Sequence, residues 1–205
     1  MFRLSRTSVI AWTAVVAVIA GLSYALTGVA VPRAAAAEDK AKEAPVQFTA
    51  DGKLKQPVGY RKWVYVGEVV TPNDLNDGEA TFPEFHSVYM DPESFAEYEK
   101  TGKYRDGTVL IKELSSVGSK ETTSGKGYFL GDFTGLAVSI KDSKRFKDEP
   151  GNWAYFSFGH KYPLEAEVSK SPTFACNKCH QDSAKQDWVF TQNYNVLPAA
   201  APRSK

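Results

Sequence analysis

The fold class is decided by the stretch Arg61-Lys-Trp-Val-Tyr-Val-Gly-Glu-Val-Val70. It is rich in β-branched and aromatic residues and is followed at once by the turn sequence Thr71-Pro-Asn-Asp74, which is the pattern of a strand that ends in a turn. Four later segments have the same character, at residues 85–90, 108–117, 128–140 and 153–158. Five strands with few helices predict an α+β, β-rich fold built on one antiparallel sheet of about five strands.

Two segments are candidates for helices that pack on this sheet. Asp91 is a typical N-cap, Pro92 suits a first helical turn and Gly102 a helix end, so a short helix is expected over residues 92–101. The segment 174–185 lacks β character and is the second candidate, near the C-terminus. The polar run 119–126 is expected to form a hairpin loop.

The composition indicates one globular domain and excludes several classes of function. Of the 205 residues, 42% are hydrophobic and 13% are aromatic, which is enough for a sizeable core and excludes wholesale disorder. Lys and Arg number 25 against 24 for Asp and Glu. Because the charges nearly balance, we expect no nucleic-acid partner.

Residues 1–37 have the layout of a secretory signal. Arg3 and Arg6 precede an apolar stretch, and alanines at 34–37 form an Ala-x-Ala cleavage pattern. The stretch 10–31 is also long enough to be an uncleaved membrane anchor. Both alternatives place the rest of the chain outside the cytoplasm, so we expect a periplasmic protein.

The boundary of the folded domain is expected near Phe48. The preceding residues, up to Val46, are mainly Ala, Lys, Glu and Pro without an apolar period, which is typical of a tether. We therefore expect a tether over 38–47 and a folded domain over 48–200.

The sequence Cys176-Asn-Lys-Cys-His180 is the attachment pattern of a c-type haem. Thiols at this spacing form thioethers with the two haem vinyl groups, and the adjoining histidine ligates the iron. The sequence thus predicts one haem c, bound covalently through Cys176 and Cys179, with His180 as the metal ligand. The alternatives are a structural disulfide and a zinc site completed by His86 and His160.

The second axial position of such an iron has no obvious ligand. Both methionines, Met1 and Met90, precede the motif, whereas electron-transfer cytochromes c carry a methionine ligand after it. This favours an open iron position, where small molecules react. Six-coordinate electron transfer remains the alternative, with Met90, His86 or His160 as the sixth ligand.

Lys112 lies in one of the predicted strands. Strand alternation places it on the same face as Leu110 and Leu114, while Glu113 shares the other face with its apolar neighbours. The pattern alone predicts an edge or surface lysine. If that face is buried against a haem, desolvation lowers the pKa of the lysine and favours its neutral, nucleophilic form.

The chain resembles the cytochrome P-460 family over residues 60–197. The resemblance is carried by Tyr60-Arg-Lys-Trp-Val-Tyr-Val-Gly67, Thr71-Pro-Asn-Asp-Leu-Asn-Asp-Gly78, Phe82-Pro-Glu-Phe85, Val88-Tyr-Met-Asp-Pro-Glu-Ser94, Tyr104-Arg-Asp-Gly-Thr-Val-Leu-Ile-Lys-Glu-Leu114, Gly127-Tyr-Phe-Leu-Gly-Asp132, Glu149-Pro-Gly-Asn-Trp-Ala154 and Val189-Phe-Thr-Gln192. It implies a β-rich homodimeric haem domain in which Lys112 is cross-linked to the porphyrin edge.

The resemblance also implies an activity. Members of the family oxidise hydroxylamine at a five-coordinate ferric haem through an iron-bound NO species, and we expect a soluble cytochrome c as the electron acceptor. The related cytochromes c′-beta share the fold but bind NO or CO without the cross-link. Hydroxylamine oxidation is therefore our first hypothesis, capture or detoxification of NO is the alternative, and plain electron transfer is the third.

Two positions depart from the family pattern. Where better-known members carry an arginine, this chain has His86, which faces the same way as Val88 and can still donate a hydrogen bond. Where hydroxylamine-oxidising relatives place a pocket glutamate, it has Ala137, which cannot accept a proton. This difference motivates the NO-binding alternative. We take Lys112, His86 and Ala137 as the candidate catalytic positions.

Four nearby residues complete the set of candidates. Glu84 and Asp132 are the carboxylates nearest in sequence that could replace the missing pocket acid, although both also suit a turn or a strand edge. Phe82 and Phe85 are expected to cap the open haem face, as phenylalanines do in the family.

Overall fold

The computed structural model describes residues 44–202. The predicted signal or anchor and the tether up to residue 43 lie outside the described residues. Val46 and Phe48 already pack against the core, and the Gln47 carbonyl accepts a hydrogen bond from the Lys55 amide at 2.9 Å. Within residues 44–202, no helix combines the length and the apolar character that a membrane span requires.

The described chain is a β-rich α+β domain. Its elements in chain order are β1 (Leu54–Lys55), β2 (Val64–Val70), β3 (Glu84–Met90), α1 (Pro92–Thr101), β4 (Val109–Val117), β5 (Glu121–Thr122), β6 (Gly125–Lys126), β7 (Leu130–Lys141), β8 (Trp153–Ser157), β9 (Glu167–Val168), α2 (Thr173–Ser183) and α3 (Val196–Ala200). Five strands form one antiparallel sheet in the order β2-β3-β4-β7-β8. The predicted fold class is confirmed.

The helix signals act as predicted at α1. The Asp91 carboxylate accepts a hydrogen bond from the Ser94 amide at 2.9 Å, and Gly102 ends the helix with a left-handed φ of 66°. A left-handed residue after the last turn is the usual place for glycine, since it has no Cβ to clash. The second helix candidate is also helical, as α2.

Two predictions need correction in detail, one for the start of a strand and one for a loop. The strand expected from residue 61 begins at Val64, because Tyr60–Lys62 form a 3-10 turn after Gly59, whose φ is 73°. The predicted hairpin loop at 119–126 contains a short ladder of its own, in which β5 pairs with β6. Strands of two residues are too short to leave a period in the sequence.

The large sheet buries an apolar cluster on each face. Ile111, Leu136 and Phe156 belong to the cluster on one face. Met90, Leu110 and Tyr155 belong to the cluster on the other face, which also receives side chains from all three helices. We call this second face the helix-covered face.

The register places Lys112 in the middle of the helix-covered face. Three successive rows run across the strands there: Met90–Leu110–Ser139–Tyr155, Val88–Lys112–Ala137–Ser157 and His86–Leu114–Gly135. Because β4 is the central strand of five, the edge position that the pattern alone predicts for Lys112 is wrong. Its row lies between the row of Tyr155 and the row of His86.

Candidate haem-binding site

Helix α2 presents the attachment motif on one of its faces. It begins after Pro172, and Cys176, Cys179 and His180 occupy positions i, i+3 and i+4, which are neighbours on a helix surface. Both cysteines are free thiols; Cys176 is half-buried against the helix-covered face and Cys179 is exposed. The thiols are therefore accessible for thioether formation on the same side of the helix as the histidine.

His180 is held so that one ring nitrogen remains for a metal. Its Nδ1 lies 2.7 Å from the Trp188 carbonyl oxygen, and since a carbonyl only accepts, Nδ1 is the protonated donor. This leaves the lone pair of Nε2 for the iron. The ring packs on Tyr155 at 4.3 Å and Phe190 at 4.7 Å between ring centroids. Burial lowers the pKa of His180, which favours its neutral, ligating form.

The carbonyl that holds His180 belongs to a strained turn. Asp187 and Trp188 have φ values of 45° and 59°, which non-glycine residues adopt rarely. The Asp187 carboxylate forms an ion pair with Lys141 and accepts a hydrogen bond from Trp153 Nε1 at 3.3 Å. These partners hold the turn that points the Trp188 carbonyl at His180. This turn cannot be predicted from the sequence, because no motif marks two successive non-glycine residues with positive φ.

Gly151 makes room for the same turn. Its φ is 61°, and a Cβ built there would lie 2.4 Å from Trp188 Cε3, far inside van der Waals contact. Gly151 is therefore required both by its backbone conformation and by the packing of the Trp188 ring. The indole Nε1 of Trp188 is buried without a hydrogen-bond partner among the described residues.

Lys112 is a half-buried cation beside aromatic and titratable groups. Its Nζ lies 5.4 Å from the centroid of the Phe82 ring. Desolvation lowers the pKa of Lys112, opposed by negative charge at Cys176, Glu84 and Cys179. Conversion of the two thiols to thioethers would remove their part of this opposition. Haem attachment would thus favour the neutral amine of Lys112 further.

On the far side of the Lys112 row, three side chains form a polar group that we call the Glu84 cluster: Glu84, His86 and His160. Glu84 Oε2 lies 3.9 Å from His86 Nε2, and Glu84 Oε1 lies 3.6 Å from His160 Nδ1. Burial, together with the charges of Lys112 and His160, lowers the pKa of His86 to about 4, so this ring is neutral at pH 7. The cluster thus offers a neutral imidazole and a carboxylate.

Two atoms of the Glu84 cluster are buried without partners. Among the described residues, neither Glu84 Oε2 nor His86 Nε2 forms a hydrogen bond. Their side chains are only 14% and 11% exposed, so solvent does not satisfy them fully. Buried polar atoms without partners are rare and costly in proteins, so these two atoms are candidates for binding a polar molecule.

Of the other predicted site residues, Ala137 and Phe82 lie near Lys112, whereas Phe85 does not. Ala137 pairs with Lys112 in the central row and is half-buried. Phe82, 46% exposed, lies beside both Lys112 and His86. Phe85 is buried, and strand alternation places it on the opposite face from His86. We call the region between Lys112, Phe82 and the Glu84 cluster the candidate pocket. Of the two phenylalanines, the structure brings only Phe82 to it.

Two further candidates lie away from the pocket. Asp132 is exposed and lines a surface cavity with Tyr60 and Arg61, whose side chains bind Glu113 on the opposite face of the sheet. Met90 is fully buried in the apolar cluster of the helix-covered face. Its thioether serves there as core packing.

The remaining alternatives for the cysteine motif can be compared with these contacts. Cys176 and Cys179 form no disulfide with each other. Between residues 44 and 202, no three His, Cys, Asp or Glu side chains are arranged as a metal-binding group. The thiol pair, the oriented His180 and the exposed ring of Phe82 instead fit a c-type haem, which needs one nitrogen ligand and apolar surroundings.

Comparison with known proteins supports the same interpretation. A family model described as Cytochrome P460 matches residues 57–191, about two thirds of the chain. The matched range contains the attachment motif, Lys112 and the Glu84 cluster. A comparison with curated proteins finds no significant match.

Proposed function

We propose that this chain, which belongs to the cytochrome P460 family and is a haem protein, oxidises hydroxylamine at the open face of a five-coordinate c-type haem. The observation that carries the proposal is the position of Lys112. Its row lies between the row of Tyr155, which contacts His180, and the row of His86. We call the part of this face at Tyr155 and His180 the anchoring side, and the part at the Glu84 cluster the polar side.

The anchoring side holds the cofactor. Cys176 and Cys179 would form the two thioethers, and His180 Nε2 would ligate the iron. When bound, the haem supplies an iron centre that accepts a nitrogen ligand and passes electrons on one at a time. The contact of His180 with the Trp188 carbonyl fixes its ring and raises the basicity of Nε2, which would strengthen a bond from Nε2 to the iron.

Lys112 would modify the edge of the macrocycle. A neutral amine has the lone pair that forms a carbon–nitrogen bond, and desolvation favours this form. The new bond replaces one hydrogen on Nζ and one on a ring carbon. Its formation therefore releases two protons and two electrons, which an oxidant of the peroxide class would accept. This cross-link is part of the proposal.

The polar side handles substrate and protons. Oxidation of hydroxylamine to NO removes three electrons and three protons, so a base close to the substrate is useful. His86, neutral at pH 7, can donate a hydrogen bond from one ring nitrogen and accept one at the other. The Phe82 ring covers part of the approach and limits the water around the site.

The proposal extends to the setting in which the protein works. The signal layout of residues 1–37 and the c-type motif favour the periplasm. The electrons would pass to a soluble cytochrome c. As in the family that the chain resembles, we expect a homodimer.

The test is steady-state oxidation of hydroxylamine by the purified holoprotein, measured with a chemical electron acceptor. We expect turnover by the wild type and loss of most of it in Lys112→Ala. Lys120→Ala, which removes an exposed lysine of the β5–β6 hairpin, is the matched control and should leave turnover unchanged. Tight NO binding without turnover would contradict the proposal and identify an NO-binding protein instead.

A further inference from the structure

We propose that Glu84 is the proton-accepting group of the substrate pocket, presented by strand β3 in place of the carboxylate that strand β7 lacks at Ala137. The inference deepens the proposed function, on which it rests for the identity of the substrate. It assigns a role to Glu84 as a residue that touches the substrate directly.

The position of Glu84 in the sheet supports this role. Glu84, His86 and Val88 alternate along β3 and share one face. Val88 pairs with Lys112, and Lys112 pairs with Ala137. The Glu84 carboxylate is close enough to Lys112 to influence its charge. The same pocket can thus receive a carboxylate from β3 as well as from β7.

The hydrogen bonding of Glu84 indicates what it binds. Oε1 faces His160 Nδ1 at 3.6 Å. Oε2 is buried and lies 3.9 Å from Nε2 of His86, and neither of these two atoms has a hydrogen-bond partner in the part of the chain that the structure describes. Two such atoms at this separation can both reach one small molecule at hydrogen-bond distance. That molecule must carry a donor for the carboxylate, as hydroxylamine does at nitrogen and oxygen.

The chemistry expected of this pair follows from the two side chains. The carboxylate Oε2 takes a proton from the bound molecule, which keeps its electron pair, while His86 orients the molecule by a second hydrogen bond. His160 is half exposed and lies on the other carboxylate oxygen, so it connects Glu84 with solvent and offers a route for the proton. Asp132, the other carboxylate considered from the sequence, lines a cavity with Tyr60 and Arg61 instead.

Cyanide binding to the ferric holoprotein tests the inference without turnover. At neutral pH cyanide arrives as HCN and binds iron as the anion, so its proton must pass to a base. NO binds without a proton transfer and reports access alone. We expect Glu84→Gln to slow cyanide association at least tenfold and to leave NO association within twofold of the wild type. Asp132→Asn, the matched control, should change neither rate.

Three outcomes would overturn the inference. Equal cyanide rates in Glu84→Gln and wild type would show that Glu84 takes no proton. Equal slowing of cyanide and NO would show a gating or structural role, and failure of Glu84→Asp to retain part of the cyanide rate would show the same. If the wild type did not oxidise hydroxylamine but Glu84→Gln still slowed cyanide association alone, the result would contradict only the proposed function.

Discussion

His180 and His86 both lie over the helix-covered face, and they are held in different ways. The Nδ1 of His180 is paired with a carbonyl whose turn is fixed by Lys141 and Trp153. The Nε2 of His86 is buried beside a carboxylate oxygen of Glu84, and within the described residues neither atom forms a hydrogen bond. The difference separates an anchor, whose ring hydrogen bond is already formed, from the candidate pocket, where two buried polar atoms would gain hydrogen bonds from a ligand.

The cost of each arrangement falls in a different place. The anchoring side stores backbone strain at Asp187 and Trp188, which ion pairing and packing compensate. The polar side leaves Glu84 Oε2 and His86 Nε2 desolvated, without a hydrogen-bond partner among residues 44–202, and a bound polar molecule would offset this cost. Such a division is expected of a protein that keeps its cofactor permanently and exchanges its substrate.

The largest effect is expected from breaking the anchor at Gly151. Gly151→Ala places a Cβ 2.4 Å from Trp188 Cε3 at a residue with φ of 61°, so overpacking and backbone strain add to about 2–4 kcal/mol of lost stability. Denaturation of the holoprotein measures this loss. The iron–histidine stretching band should also broaden, since Trp188 holds His180.

Gly52→Ala is the matched control for this variant. Gly52 also has a positive φ, 85°, but apart from its two chain neighbours no atom of residues 44–202 lies within 4 Å of a Cβ built there. Gly52→Ala should lower the free energy of unfolding only through backbone strain, by about 1 kcal/mol, and leave the iron–histidine band unchanged. If both variants behaved alike, the packing of Trp188 on Gly151 would not hold the anchor.

The next largest effect is the loss of folding stability at low pH that His86 on the polar side causes. The pKa of His86 is lowered from 6.5 to about 4, so as the pH falls the unfolded chain binds a proton at His86 at a higher pH than the folded chain does. Stability is then full above pH 6.5 and is lost as the pH falls towards about 4, by up to about 3 kcal/mol. Chemical denaturation of the holoprotein between pH 7 and 4.5 measures the slope.

His86→Phe provides the comparison for this pH dependence. It removes the titrating group while keeping a ring of similar size, so the slope between pH 6.5 and 4.5 should flatten. Glu84 and His160 face the same ring and remain in both proteins. An unchanged slope would place the acid-sensitive group elsewhere.

A smaller effect is expected from adding a base on β7. Ala137→Glu introduces a carboxylate in the row of Lys112, and it should raise hydroxylamine turnover a few-fold, an effect of about 1 kcal/mol on the barrier. The gain should be larger in a Glu84→Gln background, where the native base is missing. Ala137→Gln, similar in size but unable to accept a proton, should give no gain in either background.

Much of this arrangement follows from the sequence because it depends on local patterns. The five main strands, the capped helix α1 and the haem attachment motif all have short-range signals. Lys112 was placed on the correct face by alternation, but its central position depends on which strands flank β4. Sheet order is a long-range property that a single strand pattern does not contain.

The parts that sequence reasoning missed depend on irregular backbone conformations and on contacts between loops. The contact of His180 with Trp188 requires two left-handed residues that no glycine marks. Glu84 and His160 were each considered alone, and only the fold brings the loop after β8 to the start of β3. The prediction that Phe82 and Phe85 both cap the haem treats them alike, but Phe82 contacts His86, whereas Phe85 lies on the opposite face of β3 from His86.

The visible spectrum of the reduced holoprotein, compared between wild type, Lys112→Ala and Lys120→Ala, tests the central claim most directly. The account predicts a strongly red-shifted reduced Soret band in the wild type and in Lys120→Ala, and an ordinary ferrous c-type spectrum in Lys112→Ala. An ordinary c-type spectrum in all three proteins would contradict the claim that Lys112 modifies the haem between the anchor and the pocket.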